Sequence, residues 1–313
     1  MTQTPDTLSP ADYARSVVAV PPIALTPDGA VAREANRALM AHIAEGGIRT
    51  LLYGGNANLY HYGAALLREA LAVLTEGRPD DTTLVFSIGP DFGKAMDQVE
   101  DVRRAGIANV MLLPMAFPAD ATGVAEGVRR IADRLGTGLV LYVKREGQVD
   151  AADVGRLMEE GAVSFVKYAV ERAVPGEDAH LDALIAAVGR ERIASGYGET
   201  PIIDHIGARR MATFTSGAVC IAPAASNALL HGLRAGSDVS HALEPFLEFE
   251  RQRAWIGGTK VLHDGITLSG LADCGPQLPM VSSLTQEERE AIRPSVEALM
   301  AAEAEARGRR VAA

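Results

Sequence analysis

The sequence contains few residues of the kinds that mark secreted, metal-binding or nucleic-acid-binding proteins. Among its 313 residues there are two cysteines, Cys220 and Cys274, too few for a disulfide framework or a cysteine-based metal site. The 30 basic residues against 40 acidic ones give a net charge of −10, whereas nucleic-acid binders present a basic patch. We therefore expect a reducing compartment and no nucleic-acid partner.

Long apolar segments are absent as well. No run approaches the ~18 apolar residues of a membrane-spanning helix. The N-terminal segment is polar and partly acidic, unlike a signal or transit peptide. We expect a soluble, cytoplasmic, globular enzyme with a small-molecule substrate and no membrane partner.

A short apolar run followed by an amphipathic helical pattern recurs along the chain, in which 48% of the residues are hydrophobic. These runs are bounded by Gly, Pro or Asp and are rich in Val, Ile, Leu or Phe, as buried parallel strands are. They read SVVAV, IRTLLY, TLVFSI, NVMLLP, GLVLYV, VSFVKY, RIASG and ATFTSGAVCIA. Eight strand–helix units between residues 16 and 236 predict an α/β fold, a closed (β/α)8 TIM barrel, more readily than an open doubly wound sheet.

After Gly236 the patterns are helical only, and they read HALEPFLEFERQRAW, TKVLHDGITLSGLAD and TQEEREAIRPSVEALMAAEAEARG. We predict a barrel over residues 1–236 and a C-terminal helical extension over residues 237–313 that packs on it. In such barrels the chemistry lies at the C-terminal ends of the strands, which limits the search for a site to a few positions.

Lysine is scarce: the chain has four, namely Lys94, Lys144, Lys167 and Lys260. Lys167 lies inside an apolar strand with apolar neighbours on both sides, where alternation puts it on the same face as Val163 and Phe165. Burial there removes hydration from the ammonium, favours the neutral amine and makes it a nucleophile toward carbonyl carbons. The alternative is a structural lysine that reaches the barrel mouth or pairs with Glu199.

The fifth strand carries the complement of this lysine. Alternation places Tyr142 and Lys144 on one face of that strand, next to the strand with Lys167. A phenol near a Schiff-base carbon is a suitable proton relay, although Tyr142 is equally consistent with a core tyrosine. Lys144, nearer the mouth, offers a cation to the distal end of a substrate or else begins a solvated loop. Tyr197 and Glu199, just past the seventh strand, are further candidates for that distal contact.

Tyr142 on strand five, Lys167 on strand six and Ser195-Gly196 at the end of strand seven together resemble the dihydrodipicolinate synthase/N-acetylneuraminate lyase family. PPIALTPDGAV is similar to the first strand and loop of that family, and Gly217–Ala222 lies where the family has its Gly-Val-Ile-Ser-Val type sequence. The resemblance covers nearly the whole chain. It implies a class I Schiff-base aldolase barrel that needs neither cofactor nor metal.

For individual residues, the resemblance implies that Lys167 forms the Schiff base with a 2-keto acid and that Tyr142 shuttles protons. It implies that Gly55 and Asn56, after strand two, bind the substrate carboxylate, through their backbone N–H groups and the Asn56 amide. Gly196 and Val219 are further substrate-binding residues on this basis. It also implies a homo-oligomer, a dimer or a tetramer.

The chain departs from the family at three places. The relay hydroxyl is missing at Gly55, the tyrosine lent by a neighbouring subunit is missing from Pro114–Phe117, and no arginine follows Tyr142 at the family spacing. We therefore do not expect the enzyme of lysine biosynthesis, and we expect the binding site of the second substrate to differ from that of the family. His61, which follows the loop, either replaces the relay hydroxyl or is structural.

Three functions remain in competition. The leading one is a Schiff-base lyase acting on pyruvate or a longer 2-keto acid, as an aldolase or as a dehydratase of a 2-keto-3-deoxy sugar acid, because both use the same enamine. A second is a non-catalytic barrel that binds a keto or sugar acid. A metal-dependent barrel would need three converging ligands, and the seven histidines show no such spacing.

Overall fold

Eight parallel strands close into a barrel in chain order, from β1 to β8, in the computed structural model. The strands are β1 (Val18–Ala19), β2 (Thr50–Tyr53), β3 (Thr83–Ile88), β4 (Asn109–Leu112), β5 (Leu139–Val143), β6 (Val163–Tyr168), β7 (Ile193–Ser195) and β8 (Thr213–Ser216). The α/β class and the (β/α)8 barrel predicted from the sequence are confirmed.

The structure describes residues 7–312, with side chains up to Arg309. The first six residues, which begin the polar N-terminal segment and the predicted barrel domain, and residue 313, which ends the predicted helical extension, lie outside the described residues. Between residues 7 and 312, no helix combines the length and the apolarity needed to cross a bilayer.

Helices follow the strands as the periodicity predicts. They are α1 (Pro10–Tyr13), α2 (Arg33–Glu45), α3 (Ala64–Gly77), α4 (Phe92–Arg104), α5 (Ala121–Leu135), α6 (Ala151–Glu159), α7 (Ala179–Val188), α8 (Pro223–Ala235), α9 (Ser240–Ile256), α10 (Gly258–Leu268) and α11 (Gln286–Ala312). Short 3-10 turns cover Gly55–Ala57, Leu59–His61, Arg190–Arg192 and Ala218–Cys220, and a π-helical turn covers Ile203–Ala208.

The predicted continuation of strand eight through GAVCIA is wrong. The strand ends at Ser216, whose Oγ accepts a hydrogen bond from the Val219 N–H at 3.0 Å and so closes a turn. The turn is apolar because it is enclosed: Ala218 and Val219 are fully buried. An apolar run that is buried as a turn has the same composition as a strand.

The chain divides into two compact units. The first unit comprises the chain up to Arg15, Val85–Tyr197 and Pro201–Thr215. The second unit comprises Ser16–Leu84, Gly198–Thr200 and the chain from Ser216 onward. The units do not divide at the predicted domain boundary between residues 236 and 237, and that boundary stays a prediction.

In the first unit, α1 is held against β6 by aromatic stacking. Ser9 caps this helix in a reciprocal pair with Asp12, and the Tyr13 ring stacks on Phe165 with centroids 3.9 Å apart. The face of β6 that carries Phe165 is therefore buried, as predicted from strand alternation.

In the second unit, a carboxylate of the C-terminal helix α11 caps the N-terminus of α8. Glu303 of α11 accepts hydrogen bonds from the N–H groups of Ala224 and Ala225 at 2.8 and 3.1 Å. These N–H groups belong to the first turn of α8. Such N–H groups have no acceptor within their own helix, and the N-terminus of a helix attracts negative charge. The predicted helical character of the C-terminal segment is confirmed.

Candidate active site

Lys167 and Tyr142 are direct neighbours in the first unit. β5 and β6 pair in parallel with Tyr142 opposite Lys167. Lys167 is 5% exposed, and its Nζ lies 3.6 Å from the centroid of the Tyr142 ring. The structure thus brings together the two residues predicted to be catalytic.

The lysine lies over the face of the Tyr142 ring. A cation over a phenol face is attracted by the ring quadrupole, and the attraction strengthens when both groups lose water. Tyr142 is half-buried. The ring can therefore stabilise positive charge at Nζ while its hydroxyl exchanges protons.

Gly196 leaves room for the lysine stem. A Cβ at this position would lie 2.8 Å from Ala169 Cβ and 3.0 Å from Lys167 Cγ. The Gly196 N–H donates to the Tyr168 carbonyl at 2.5 Å, so the backbone cannot retreat without losing this bond. Any larger residue would displace Lys167 or the end of β7.

Next to Gly196, a buried hydrogen bond anchors the end of β7. Ser195 Oγ and His205 Nδ1 are 2.8 Å apart, and both side chains are buried. Burial lowers the pKa of His205 to about 4, so its ring is neutral near pH 7. His205 therefore holds the π-helical turn to the strand. Among residues 7–312 there is no cluster of three or more His, Cys, Asp or Glu side chains that could hold a metal ion.

Lys144 lies beyond the end of β5, so strand alternation does not extend to it. Its side chain is 41% exposed, with Nζ 3.1 Å from Glu171 Oε1 and 5.3 Å from the centroid of the Tyr197 ring. An exposed ion pair of this kind contributes about 0–1 kcal/mol to stability. A cation so placed is accessible to a ligand.

In the second unit, Gly55 and Asn56 begin the 3-10 turn that follows β2. The first N–H groups of such a turn have no acceptor within it and are suited to bind an anion. The Asn56 amide, by contrast, is already bonded at both ends: Nδ2 donates to Val20 O at 2.9 Å and Oδ1 accepts from Arg253 Nη2 at 3.1 Å. Carboxylate binding by the Asn56 side chain would require breaking one of these bonds, so the backbone N–H groups are the better candidates.

Glu199, expected near the distal end of the substrate, is fully buried in the second unit. The Ser226 hydroxyl donates to Glu199 Oε1 at 3.3 Å, and Oε2 has no hydrogen-bond partner among the described residues. Burial and the nearby Glu250 carboxylate raise the pKa of Glu199 to about 8, against the opposing effects of Ser216 and Arg253. The carboxyl group is therefore protonated near neutral pH.

The sequence interpretation missed the charged pair on α9. Arg253 Nη1 donates to Glu250 Oε1 at 2.6 Å, and the two side chains are 12% and 14% exposed. A signal was present: these residues lie four and seven positions after Phe246, which is buried in α9. Helical spacing alone would have placed both charges on the buried face.

Comparison with known proteins supports the fold. No protein-family model matches the chain. The chain is 23% identical over 240 residues to a probable 5-dehydro-4-deoxyglucarate dehydratase from Rhizobium meliloti (strain 1021), covering 70% of this chain and 73% of the relative.

Among solved structures, dihydrodipicolinate synthase from Bacillus clausii has a TM-score of 0.79 at 20% identity, covering 93% of this chain and 98% of that one. A prophage protein of the dihydrodipicolinic acid synthase family from E. coli K12, solved with pyruvate, has a TM-score of 0.76 at 16% identity, covering 91% and 98%. The resemblance to this family that the sequence predicted is confirmed at the level of the fold.

Proposed function

We propose that the protein is a class I lyase whose Lys167 amine forms a Schiff base with pyruvate or a longer 2-keto acid. The observation that carries this proposal is the buried amine of Lys167 on the face of the Tyr142 ring. Burial disfavours the charged ammonium and so favours the amine that attacks a carbonyl carbon, and the aromatic face can stabilise the iminium cation that follows. The fold shared with the dihydrodipicolinate synthase family supports the same assignment.

The proposed reaction begins with attack of the neutral Lys167 amine on the keto carbon. The carbinolamine that forms loses water to give an iminium cation, and the lysine nitrogen stays over the Tyr142 ring. The iminium accepts the electron pair when a proton or a C–C bond is lost at the neighbouring carbon, giving an enamine. The Tyr142 hydroxyl would carry protons in these steps.

The other predicted site residues enter as parts of this proposal. The N–H groups of Gly55 and Asn56 would bind the substrate carboxylate, because they begin the turn after β2. Gly196 would keep the Lys167 stem in place, and the Val219 turn would form part of the substrate-binding backbone. Lys144 would bind a distal anionic group.

Dehydration of a 2-keto-3-deoxy sugar acid is the second candidate, and the dehydratase relative favours it over aldol cleavage. From the enamine, expulsion of a hydroxyl group as water requires only a proton donor. The same lysine serves both reactions, so the substrate decides between them.

A panel of 2-keto acids tests the proposed function, with turnover compared between the wild type and Lys167→Arg. Guanidinium keeps a cation at this position but cannot form the imine, so the variant should lose all turnover. Turnover that survives in Lys167→Arg contradicts the Schiff-base mechanism. Binding without turnover in the wild type supports the non-catalytic keto-acid or sugar-acid barrel.

From the resemblance we further infer a cytoplasmic homo-oligomer, a dimer or a tetramer. Light scattering on the purified protein measures the oligomeric mass, and a monomer at assay concentration would contradict this inference.

A further inference from the structure

The side chain of Asn56 is held from two directions within the second unit. Its amide nitrogen donates to the Val20 carbonyl, and its carbonyl oxygen accepts from Arg253, at 2.9 and 3.1 Å. The bond to Arg253 joins the turn after β2 to a helix almost two hundred residues later in the chain. This side chain therefore fixes where the Gly55–Ala57 turn sits.

The Arg253 guanidinium is itself immobilised. Besides Asn56, it donates from Nη1 to Glu250 Oε1 at 2.6 Å and from Nε to Gly258 O at 3.1 Å. A Cβ on Gly217 would lie 3.0 Å from Nη1, so the backbone after β8 closes against the guanidinium. A planar fork with three bonded nitrogens has little freedom to rotate.

A neighbouring pair on the same helix shows that Arg253 is unusual. Arg251 and Glu248 also form an i,i+3 ion pair on α9, but they are 70% and 47% exposed, against 12% and 14% for Arg253 and Glu250. An exposed pair contributes little, whereas a guanidinium is costly to bury unless every contact is satisfied. Among the contacts of Arg253, the one to Asn56 links it to the proposed carboxylate-binding turn.

The charges around Arg253 are compatible with this arrangement. Glu250 faces it from α9, and Glu199 and the buried Cys220 thiol lie close enough to act on it electrostatically. With Glu199 protonated and the thiol neutral, the Arg253 cation is balanced by the Glu250 carboxylate. Arg253 is thus free to donate to a neutral amide oxygen.

We propose that Arg253 is a positioning residue for carboxylate recognition, which clamps Asn56 and thereby orients the N–H groups of Gly55 and Asn56. This inference rests on the proposed function, because those N–H groups are taken to bind the carboxylate of the 2-keto acid. Arg253 acts through Asn56 and does not itself contact the substrate.

Two measurements on Arg253→Gln test the clamp, with Arg251→Gln as a matched control on the same helix. The first is the pyruvate concentration that half-saturates borohydride trapping. It should rise on the order of tenfold or more in Arg253→Gln, the scale of a lost hydrogen bond to a charged group, while the plateau of adduct stays the same. Arg253→Lys should give an intermediate rise, because an ammonium cannot reach all three acceptors at once.

The second measurement is hydrogen exchange in the ligand-free protein. The N–H groups of Ala57 and Asn58 donate to Gly54 O and Gly55 O within the turn, so loss of the clamp should speed their exchange. Arg251→Gln should leave both the half-saturating concentration and the exchange rates at their wild-type values.

Unchanged exchange at the turn in Arg253→Gln overturns the clamp, as does an equal change in Arg251→Gln. If the wild type forms no pyruvate adduct, the proposed function fails, and the exchange measurement still decides the clamp. If Arg253→Gln does not fold, Asn56→Ala and Arg253→Lys remove or weaken the same bond and should show the same faster exchange.

Discussion

The amine of Lys167 lies 3.6 Å from the centre of the Tyr142 ring, so the two side chains meet at the face of the ring. Two separate roles follow for one tyrosine. The face stabilises positive charge on the lysine nitrogen, and the hydroxyl at the ring edge is available for proton transfer. Substitutions can separate these roles.

Tyr142→Phe keeps the ring face and removes the hydroxyl. We expect pyruvate adducts to form as in the wild type, while turnover falls by roughly 10²–10⁴-fold, the range for a positioned acid–base group. Tyr142→Ala, which removes the face as well, should also reduce adduct formation. Unchanged turnover in Tyr142→Phe would show that another group, such as His61, carries the proton.

Gly196→Ala should push against the lysine stem. The new Cβ would lie within 3.0 Å of Lys167 Cγ and closer still to Ala169, so we expect the free energy of unfolding to fall by ~1–3 kcal/mol, with less adduct at Lys167. The matched control is Gly93→Ala in α4, where no atom lies within 4 Å of the added methyl group. Because alanine favours helix over glycine by up to ~1 kcal/mol, the control should be neutral or more stable in urea unfolding. Equal stability of both variants would contradict the close packing at Gly196.

Glu199→Gln should change how stability depends on pH. The pKa of Glu199 is raised to about 8 in the folded protein, against about 4.3 for an unfolded glutamate. Below the unfolded value both states are protonated. As the pH rises, the unfolded chain ionises first, so this group lowers the free energy of unfolding until the pH passes the folded pKa.

Glutamine cannot ionise, so the free energy of unfolding of Glu199→Gln should not fall as the pH rises between the two pKa values. Denaturant unfolding from about pH 5 to about pH 9 measures this free energy. The control is Glu248→Gln, at an exposed position on α9, whose free energy of unfolding should fall with pH as in the wild type. Parallel stability curves for the wild type and Glu199→Gln would show that the carboxyl group is ionised in the folded protein.

Lys144→Ala tests distal recognition. If the accessible ammonium binds a carboxylate at the far end of a longer 2-keto acid, kcat/KM for that substrate should fall by ~1.5–3 kcal/mol in free-energy terms. Adduct formation with pyruvate should be unchanged, because pyruvate has no distal group. Glu171→Gln, which frees Lys144 from its ion pair, should raise kcat/KM for the longer substrate. An equal loss with both ligands would place Lys144 at the Schiff-base centre instead.

The barrel and the Lys167–Tyr142 pair could be predicted from the sequence because both follow from short-range periodicity. Alternation sets the face of each residue on its strand, and neighbouring strands of a barrel bring like faces together. The register that opposes Tyr142 and Lys167 depends in addition on a shift between Leu139 and Val140, which the sequence pattern does not reveal. The faces and the order of the strands, by contrast, are local properties of the chain.

Helical spacing could have revealed the burial of Arg253 and Glu250, but the contact of Arg253 with Asn56 could not be found in this way, because the two residues are distant in the sequence. The C-terminal segment was predicted to pack on the barrel as helices, but nothing near Asn56 in the chain points to α9. The burial of Glu199 was also missed because the residues around it are distant in the sequence: Ser226 lies on α8 and Glu250 on α9. Lys144 was misplaced because β5 ends one residue before it, at a boundary that apolar composition does not mark.

Borohydride trapping with pyruvate, followed by peptide mapping, tests the central claim most directly. Reduction of the imine fixes the pyruvyl group to the amine that formed it, so the modified peptide identifies the nucleophile. With four lysines in the chain, the assignment is unambiguous. We predict a single adduct at Lys167 that Lys167→Arg abolishes; an adduct on Lys94, Lys144 or Lys260, or none with any 2-keto acid, would contradict the Schiff-base mechanism.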